Sequence, residues 1–301
     1  MHTDQIKETI LICGGSGFLG QLLRKFLMQK GYNVWVLSRN KRQDYHFEWD
    51  PLLKKFPLEI LPKIDHIINL SGENLMKRWT KEYRRKIIES RTAPTRFIRE
   101  ILENNEHQVK SVVNASGISI YGDRGDVVLT EKDEPGTGFL EKLCVSWEYE
   151  AEKIRQLGIR TNILRISPVV HKNNDFIKAQ MRFAKFGLLG SFGSGDQFIS
   201  WIHFEDILRV FHFVIANTNC NSVFNTCSPN PLAQKDLNSA LGRHINQTQF
   251  VPNVPTQIIK MALGAKSQLV TDSIYALPQA LLDAGFSFKH PNFEEGLEHL
   301  F

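Results

Sequence analysis

The feature that most constrains the fold is an alternation of short apolar runs with longer stretches of helical periodicity. Thr9 to Cys13 (TILIC) is followed by a helical pattern over Gln21 to Lys30, and Asn33 to Leu37 (NVWVL) predicts a second strand. Short strands separated by helices are typical of βαβ units, in which the strands run parallel. The sequence therefore predicts an α/β fold with a doubly wound parallel sheet.

The same two patterns recur along the chain. Strands are predicted at Tyr45 to Trp49, His66 to Leu70, Ser111 to Ala115 and Thr161 to Ile166, and helices at Lys81 to Asn104 and Leu140 to Leu157. After Pro168 the alternation loosens into a glycine cluster, Gly187 to Gly195, and a helical tail interrupted by prolines. Because no low-complexity linker intervenes, we expect a first domain over residues 1–170 and a C-terminal region over residues 171–301 packed onto it.

The composition is that of a globular protein. Hydrophobic residues make up 42% of the 301 residues, yet no run of eighteen apolar residues occurs. The polar start, MHTDQIK, is unlike a signal peptide, so we expect a cytoplasmic protein without a membrane partner. Basic residues number 37 against 32 acidic ones, in short dispersed runs, which argues against nucleic-acid binding. Four scattered cysteines without metal-ligand spacing predict buried, reduced thiols and no metal site.

The segment GGSGFLG follows the first strand and opens the first helix. Its glycines fit two registers, Gly14-x-x-Gly17-x-x-Gly20 and Gly15-x-Gly17-x-x-Gly20. Both place glycine at a tight turn, at the closest approach of the backbone to a pyrophosphate and at the helix–strand contact. A purely structural turn is the alternative. The flanking strand and helix favour a dinucleotide site, which we assign to Gly14, Gly17, Phe18, Leu19 and Gly20.

The residues that follow the second strand predict which dinucleotide is bound. An acidic side chain there would bind the ribose hydroxyls of NAD(H), but this chain has Ser38 and Arg39, with Lys41 and Arg42 behind them. A guanidinium can bind a 2′-phosphate through two hydrogen bonds while the serine hydroxyl donates a third. The sequence thus predicts NADP(H) rather than NAD(H), unless Arg39 is only a solvated charge.

Four segments carry a family pattern: ILICGGSGFLG, HIINLSGENLMKRWTKEYRRKIIESR, NASGISIYG and GSGDQFISWIHFEDI. In this order they resemble the short-chain dehydrogenase/reductase superfamily and, within it, the atypical branch of epimerase family proteins. The tail from about Val251 is similar to the small C-terminal domain of that branch. The resemblance implies an NADP-binding Rossmann domain over the first part of the chain and a substrate cleft closed by the C-terminal region.

The resemblance also implies further cofactor-binding residues. Leu70 and Ser71 lie where the family's backbone meets the adenine-ribose side of the cofactor. Arg91 occupies the place where extended members usually have an asparagine near the cofactor, and Lys86 would approach the same phosphate face. For both basic residues the alternative is a solvated charge on a helix.

The superfamily's catalytic set is a serine, a tyrosine and a lysine one helical turn later, which lowers the pKa of the tyrosine. Ser116, Tyr149 and Lys153 are the candidates here. The atypical branch, however, resembles this chain in having a tryptophan, Trp147, in the tyrosine's place. A shift of two residues rotates a helix position by about 200°, so both registers cannot face the nicotinamide. The apolar stripe containing Leu143 and Trp147 predicts that Trp147 points inward and that Tyr149 and Lys153 face solvent.

Three other residues have two interpretations each. Ser116 is either the catalytic serine or a strand-end residue, with Gly117 an equally good occupant of the serine's place. Tyr121 either lines the cleft or caps a turn. His203 alternates with apolar residues, which favours a hydrogen-bonded structural histidine over an acid/base. The Gly187 to Gly195 cluster fits either a cleft lid or a surface loop.

These observations give two hypotheses from different classes. The first is an NADP(H)-dependent oxidoreductase or nucleotide-sugar epimerase-like enzyme that transfers a hydride to or from a small-molecule substrate. The second is a pyridine-nucleotide-binding regulator or scaffold with reduced catalysis, since fold analogy alone does not establish turnover. The long helices predicted at Lys81 to Asn104 and Leu140 to Leu157 could pair in a homodimer or pack against the sheet.

Overall fold

The computed structural model describes residues 7–39, 43–174, 177–178, 190–244 and 253–300. The strands are β1 (Thr9–Cys13), β2 (Asn33–Ser38), β3 (His46–Glu48), β4 (His66–Asn69), β5 (Ser111–Gly117), β6 (Val128–Leu129), β7 (Arg160–Ile166), β8 (Val169–Val170), β9 (Phe198–Ile199), β10 (Ile202–His203), β11 (Val223–Thr226), β12 (Leu232–Ala233) and β13 (Tyr275–Ala276).

The α-helices whose bounds are described are α1 (Phe18–Gln29), α2 (Lys81–Asn104), α3 (Phe139–Arg155), α4 (Phe204–Ala216), α5 (Gln234–His244), α6 (Thr256–Leu263), α7 (Gln268–Thr271), α8 (Gln279–Asp283) and α9 (Phe293–Glu298). Short 3-10 helices lie at Leu58–Lys63, Ile118–Tyr121 and Gly264–Ser267.

Seven strands form one sheet in the order β11-β7-β5-β4-β1-β2-β3, and every neighbouring pair is parallel. The chain winds outward from β1 in both directions, so the order reverses between β1 and β4. In such sheets ligands bind at the carboxyl ends of the strands beside this reversal. The predicted doubly wound α/β fold is confirmed.

The alternating side chains of β1 build two cores, one on each face of the sheet. Ile10 and Ile12 pack with residues of α1 and α4, whereas Leu11 and Cys13 pack with residues of α2 and with Ile154 of α3. Because both faces are covered, a central strand is apolar throughout rather than alternating, as in TILIC. All four cysteines are buried, as the sequence predicts.

Most elements begin and end within two or three residues of their predicted bounds. α1 begins at Phe18, inside the glycine turn as the sequence predicts, because Gly17 takes the extended backbone of a helix N-cap. β5 runs to Gly117 rather than Ala115 because its last residues continue to pair with β7. α2 has the predicted bounds, and the Thr80 side chain caps it by accepting a hydrogen bond from the Tyr83 amide.

The C-terminal part of the chain adds to this sheet as well as covering it. β11 forms an edge strand beside β7, and α4 packs on the face that carries Ile10 and Ile12. The boundary between residues 170 and 171 therefore stays a prediction. Among the described residues, no helix is both long enough and apolar enough to span a bilayer.

Candidate functional site

A cavity of about 460 Å³ opens where the carboxyl ends of β5 and β7 meet the start of α1. Three walls are named here by their residues. The glycine wall is Gly14, Gly17, Phe18, Leu19 and Gly20; the α3 wall is Leu140, Leu143, Cys144 and Trp147; the C-terminal wall is Phe198, Ile199, Ser200, Gln234, Gln268, Leu269, Val270, Asp272 and Ile274.

The fold requires glycine to different degrees at the three glycine positions of the glycine wall. Gly14 has φ of 76°, and a Cβ there would lie 2.9 Å from the carbonyl of Leu70. A Cβ on Gly20 would lie 2.5 Å from Cα of Gly15. Gly17, by contrast, has φ of −73° and ψ of 170°, which any residue adopts, and its added Cβ would meet only the Gly14 oxygen at 3.3 Å. The fold thus requires Gly14 and Gly20 more strongly than Gly17.

The structure selects one of the two predicted glycine registers. Gly14, Gly17 and Gly20 all line the cavity, whereas Gly15 is outside the lining, and a Cβ on it would lie 2.8 Å from the Val36 side chain. No side chain caps α1 at Gly17, and its first turn carries no acidic residue. An uncapped helix start of this kind suits an anion, because its amides and the helix dipole attract negative charge.

Arg91 of α2 is the buried cation of the cavity. Its guanidinium donates to the carbonyl oxygens of Glu73 at 3.1 Å and Ile87 at 3.2 Å and lies 5.4 Å above the Trp147 ring. Burial lowers the pKa of Arg91, but a guanidinium stays protonated in proteins. Leu70 also lines the cavity, so the structure brings both residues together with the glycine wall.

Three predicted cofactor-binding residues, Ser38, Arg39 and Ser71, lie outside the cavity lining. Ser38 is buried at the end of β2, and the Ser71 amide donates to Asn69. Arg39 is exposed, with Nη2 3.7 Å from the carboxylate of Glu73. Lys41 and Arg42 fall outside the described residues.

The structure does not bring Lys86 to the cavity, which corrects that prediction. Lys86 is exposed on α2, and its Nζ lies 2.7 Å from the Glu82 carboxylate one turn earlier. Lys86 and Arg91 are five residues apart, which separates them by about 140° around the helix. Only Arg91 can therefore face the site.

α3 turns Trp147 inward, as its periodicity predicts. Trp147 is buried, and its indole nitrogen donates to Oγ1 of Thr95 at 3.1 Å. Tyr149 is 61% exposed, and Nζ of Lys153 lies 4.2 Å above its ring. The structure thus corrects the candidate catalytic pair: Tyr149 and Lys153 lie on the outer face of α3 and do not line the cavity.

Ser116 does line the cavity, and so does Gly117. The hydroxyl of Ser116 donates to Oε1 of Glu148 at 2.6 Å, and that carboxylate in turn pairs with Arg165 at 2.9 Å. The serine is therefore held by a buried ion pair at the end of β5. Its hydroxyl proton is committed to Glu148.

Two further predicted residues are structural. Tyr121 is buried outside the lining; its hydroxyl donates to Asn225 at 2.7 Å and accepts from Arg165 at 2.8 Å, and burial raises its pKa to about 12. His203 is fully buried and caps α4, since its Nδ1 accepts from the Glu205 amide at 3.3 Å. This hydrogen bond agrees with the structural interpretation of His203, which stays a prediction. Gly187, which begins the glycine cluster, lies outside the described residues.

Asp272 and Cys144 also line the cavity, although no sequence pattern predicts either as a site residue. Burial, with the nearby carboxylates of Asp123 and Glu141, raises the pKa of Asp272 to about 7. Burial raises the pKa of the Cys144 thiol to about 11. No spacing rule connects Asp272 with the glycine turn, since the two meet only through the tertiary fold.

Comparisons with known proteins agree with this architecture. The model of the NAD dependent epimerase/dehydratase family matches residues 10–227, and a domain of unknown function, DUF1731, matches residues 254–300. Epimerase family protein YfhF of Bacillus subtilis is 30% identical over 299 residues, which is 97% of each chain.

Two solved structures are similar in fold. The human epimerase family protein SDR39U1, crystallised with NADPH, superposes with a TM-score of 0.87 at 22% identity, over 97% of this chain and 98% of that one. MoeE5 in complex with UDP-glucuronic acid and NAD gives a TM-score of 0.75 at 20% identity, over 96% of each chain. These two likenesses show the fold, while the family model and YfhF lead to the conclusion that the chain belongs to the NAD-dependent epimerase/dehydratase family.

Proposed function

We propose that this protein binds NADP(H) in the cavity and transfers a hydride between the nicotinamide and a small substrate, as an oxidoreductase or nucleotide-sugar epimerase-like enzyme. The proposal rests on the backbone conformation of Gly17 and on the space beside it. The backbone there suits any residue, and a Cβ would have room with a shift of a few tenths of an ångström. A glycine that the fold hardly needs, placed on a cavity wall, leaves space for a ligand that touches the backbone.

The residues around Gly17 suit a dinucleotide. The uncapped start of α1 would hold the pyrophosphate through its amides, and Arg91 adds a buried positive charge beside it. Leu140, Leu143 and Trp147 form an apolar wall that would exclude water from the reacting groups. NADP(H), when bound, supplies or accepts the hydride. SDR39U1 holds NADPH and MoeE5 holds NAD, which supports the pyridine-nucleotide class.

The choice of NADP(H) over NAD(H) rests on the end of β2. Arg39 is 76% exposed at its side chain, and its nearest carboxylate, Glu73, is 3.7 Å away. An exposed ion pair of this kind contributes little to stability. The Arg39 guanidinium can therefore leave Glu73 and bind a 2′-phosphate instead. An acidic residue, which would favour the ribose of NAD(H), is absent from positions 38 and 39.

Titrating the purified protein with NADPH and with NADH, followed by intrinsic fluorescence, tests the cofactor assignment. We expect tighter binding of NADPH; equal affinities would contradict the choice, and no binding of either would contradict the proposal. Oxidation of NADPH in the presence of carbonyl compounds and nucleotide sugars, measured by absorbance of the reduced nicotinamide, then tests turnover.

A second candidate function is a nucleotide-binding regulator or scaffold. One observation favours it: Tyr149 and Lys153, the conventional acid–base pair, lie outside the cavity. Tight NADPH binding without turnover of any compound in the panel would support the regulator over the enzyme.

A further inference from the structure

The C-terminal wall carries a carboxylate, that of Asp272, which has no partner among the described residues. Asp272 directly follows α7 and shares the wall with the apolar side chains of Leu269, Val270 and Ile274. Within the described part of the chain, its carboxylate makes no hydrogen bond or ion pair. A half-buried carboxylate normally has a hydrogen-bond or ion-pair partner. A carboxylate that faces a cavity and lacks such a partner is therefore available to a ligand.

The backbone beside Asp272 is held in place from two directions. The Ser273 amide donates to Oδ1 of Asp123 at 3.2 Å. The Ile274 amide donates to the Phe198 oxygen at 3.0 Å, and the Phe198 amide donates to Oγ of Ser273 at 2.9 Å. These bonds tie the segment to β9 and to the loop after the 3-10 helix at Ile118–Tyr121. The carboxylate is thereby positioned, while none of the residues that the structure describes bonds to its oxygens.

The charges around Asp272 favour its protonated form. Asp123 and Glu141 disfavour a further negative charge and add to the effect of burial, while Lys260 of α6 opposes them; the pKa of Asp272 is about 7. The cavity has two other titratable lining groups among its described residues, Arg91 and Cys144. The first stays protonated and the pKa of the second is raised to about 11. Of these three groups, Asp272 is the one with a pKa near neutral pH.

We propose that Asp272 is the acid–base residue of this site, in place of the displaced tyrosine and lysine. The proposal rests on the proposed function. Bound NADPH would supply the hydride, with its two electrons, to a carbonyl carbon of the substrate. The carbonyl oxygen takes the proton from the carboxyl of Asp272, whose O–H bond breaks. In the reverse direction the carboxylate accepts the hydroxyl proton. The hydride ends on the carbon of the product alcohol and the proton on its oxygen, and Asp272 is left as a carboxylate.

Chemical labelling tests the assignment without turnover. Dicyclohexylcarbodiimide, an apolar reagent, modifies protonated carboxyl groups, and peptide mass mapping locates the label. In the full-length protein without added nucleotide, we expect labelling of Asp272 with a midpoint near pH 7. Asp283, exposed on α8, is an internal reference for a carboxyl group outside the cavity. No label on Asp272 at about pH 6, or a midpoint as low as that of an exposed aspartate, would overturn the proposal.

Two charge variants outside the lining sharpen this test. Asp123→Asn keeps an acceptor oxygen for the Ser273 amide but removes a negative charge, so the midpoint should fall. Lys260→Gln removes the opposing positive charge, so the midpoint should rise. A midpoint that moves in neither variant would contradict the assigned surroundings of Asp272.

Kinetics and binding separate this proposal from the one on which it rests. Asp272→Asn should lower kcat by on the order of a hundredfold for any carbonyl that the protein reduces, with NADPH affinity unchanged. Undiminished kcat in this variant would overturn the acid–base assignment alone. Failure of the wild-type protein to bind NADPH would instead overturn the proposed function, while the labelling midpoint still reports whether Asp272 is protonated in the cavity.

Discussion

The glycine wall and the C-terminal wall of the cavity are built in different ways. The first comes from one short segment, Gly14 to Gly20, whose conformation follows from the strand before it and the helix after it. The second combines β9, Gln234 at the start of α5 and the α7 segment, which meet only through tertiary packing. Local sequence therefore predicts the first wall, and only the folded chain reveals the second.

The difference also separates binding from chemistry. The glycine wall offers backbone amides and space but no titratable side chain. The C-terminal wall offers a carboxylate that can exchange a proton. In the proposed mechanism, the binding motif of this chain is local, while its acid–base group comes from a distant segment. Variants of each wall should accordingly fail in different ways.

The largest effect is expected from Gly17→Val. The side chain would fill the space that the pyrophosphate needs, so affinity for NADPH and NADH should fall by at least about a hundredfold. Since the backbone at Gly17 suits valine, circular dichroism and the melting temperature should remain close to native. Native NADPH affinity in the folded variant would place the phosphate site elsewhere.

Gly20→Val is the matched control for this variant. Its Cβ would lie 2.5 Å from Cα of Gly15, and no rotation of a side chain relieves a contact between backbone atoms. This variant should lose binding by unfolding rather than by occlusion. Equal melting temperatures of the two variants would contradict the distinction drawn between the glycines.

Trp147→Ala should have the next largest effect. We expect it to lower stability rather than to weaken phosphate binding. Removing a buried aromatic side chain costs about 3 to 5 kcal/mol of unfolding free energy, and the Thr95 hydroxyl loses a donor. Urea denaturation measures the loss. Trp147→Phe keeps most of the packing and should recover more than half of the lost free energy of unfolding. An unchanged free energy of unfolding in Trp147→Ala would contradict the inward register of α3.

These cases show what the sequence predicts and why. The strands and α2 follow from periodicity and capping, and the inward position of Trp147 follows from the stripe it shares with Leu143. Lys86 was misplaced because motif similarity does not specify which face of a helix a residue occupies. Tyr121 is buried because Arg165 and Asn225, distant in sequence, bind its hydroxyl.

Asp272 had no sequence signal at all. Its properties depend on Asp123, Glu141 and Lys260, each from a different part of the chain, and on burial that no local pattern encodes. Perturbed titration arises from tertiary environment, which is why such residues are found from structure rather than from spacing.

Arg39→Ala should have a moderate effect confined to cofactor choice. Loss of a bidentate contact to the 2′-phosphate should weaken NADPH binding by roughly 1.5 to 3 kcal/mol, with NADH affinity nearly unchanged. Fluorescence titrations with both nucleotides measure the ratio of the affinities for NADPH and NADH. Arg99, also basic but located near Glu103 on α2 outside the cavity, provides a control, since Arg99→Ala should leave the ratio at its native value. An unchanged ratio in Arg39→Ala would refute its role.

Asp272→Asn should also change stability, and in a direction that depends on pH. A carboxyl whose pKa is raised in the folded state destabilises that state once the unfolded chain ionises, and the cost grows as pH rises from about 4 to about 7. The asparagine variant should therefore gain melting temperature over wild type across this range and keep the gain above it. Solvent screening of the half-buried group limits the gain to about 1 to 2 kcal/mol. A gain that is largest in acid would contradict the raised pKa.

The smallest effect is expected at the outer face of α3, where Tyr149→Phe and Lys153→Ala remove the hydroxyl and the charge of the conventional catalytic pair. Because Tyr149 is 61% exposed and neither residue lines the cavity, NADPH affinity and kcat should each change less than about threefold. Lys153→Ala loses a surface cation–π contact, which contributes about 0.5 to 1 kcal/mol to stability. A hundredfold loss of kcat in Tyr149→Phe at an unchanged melting temperature would restore the conventional mechanism. Asp272 would then lose its acid–base role, because one site needs only one such donor for the substrate oxygen.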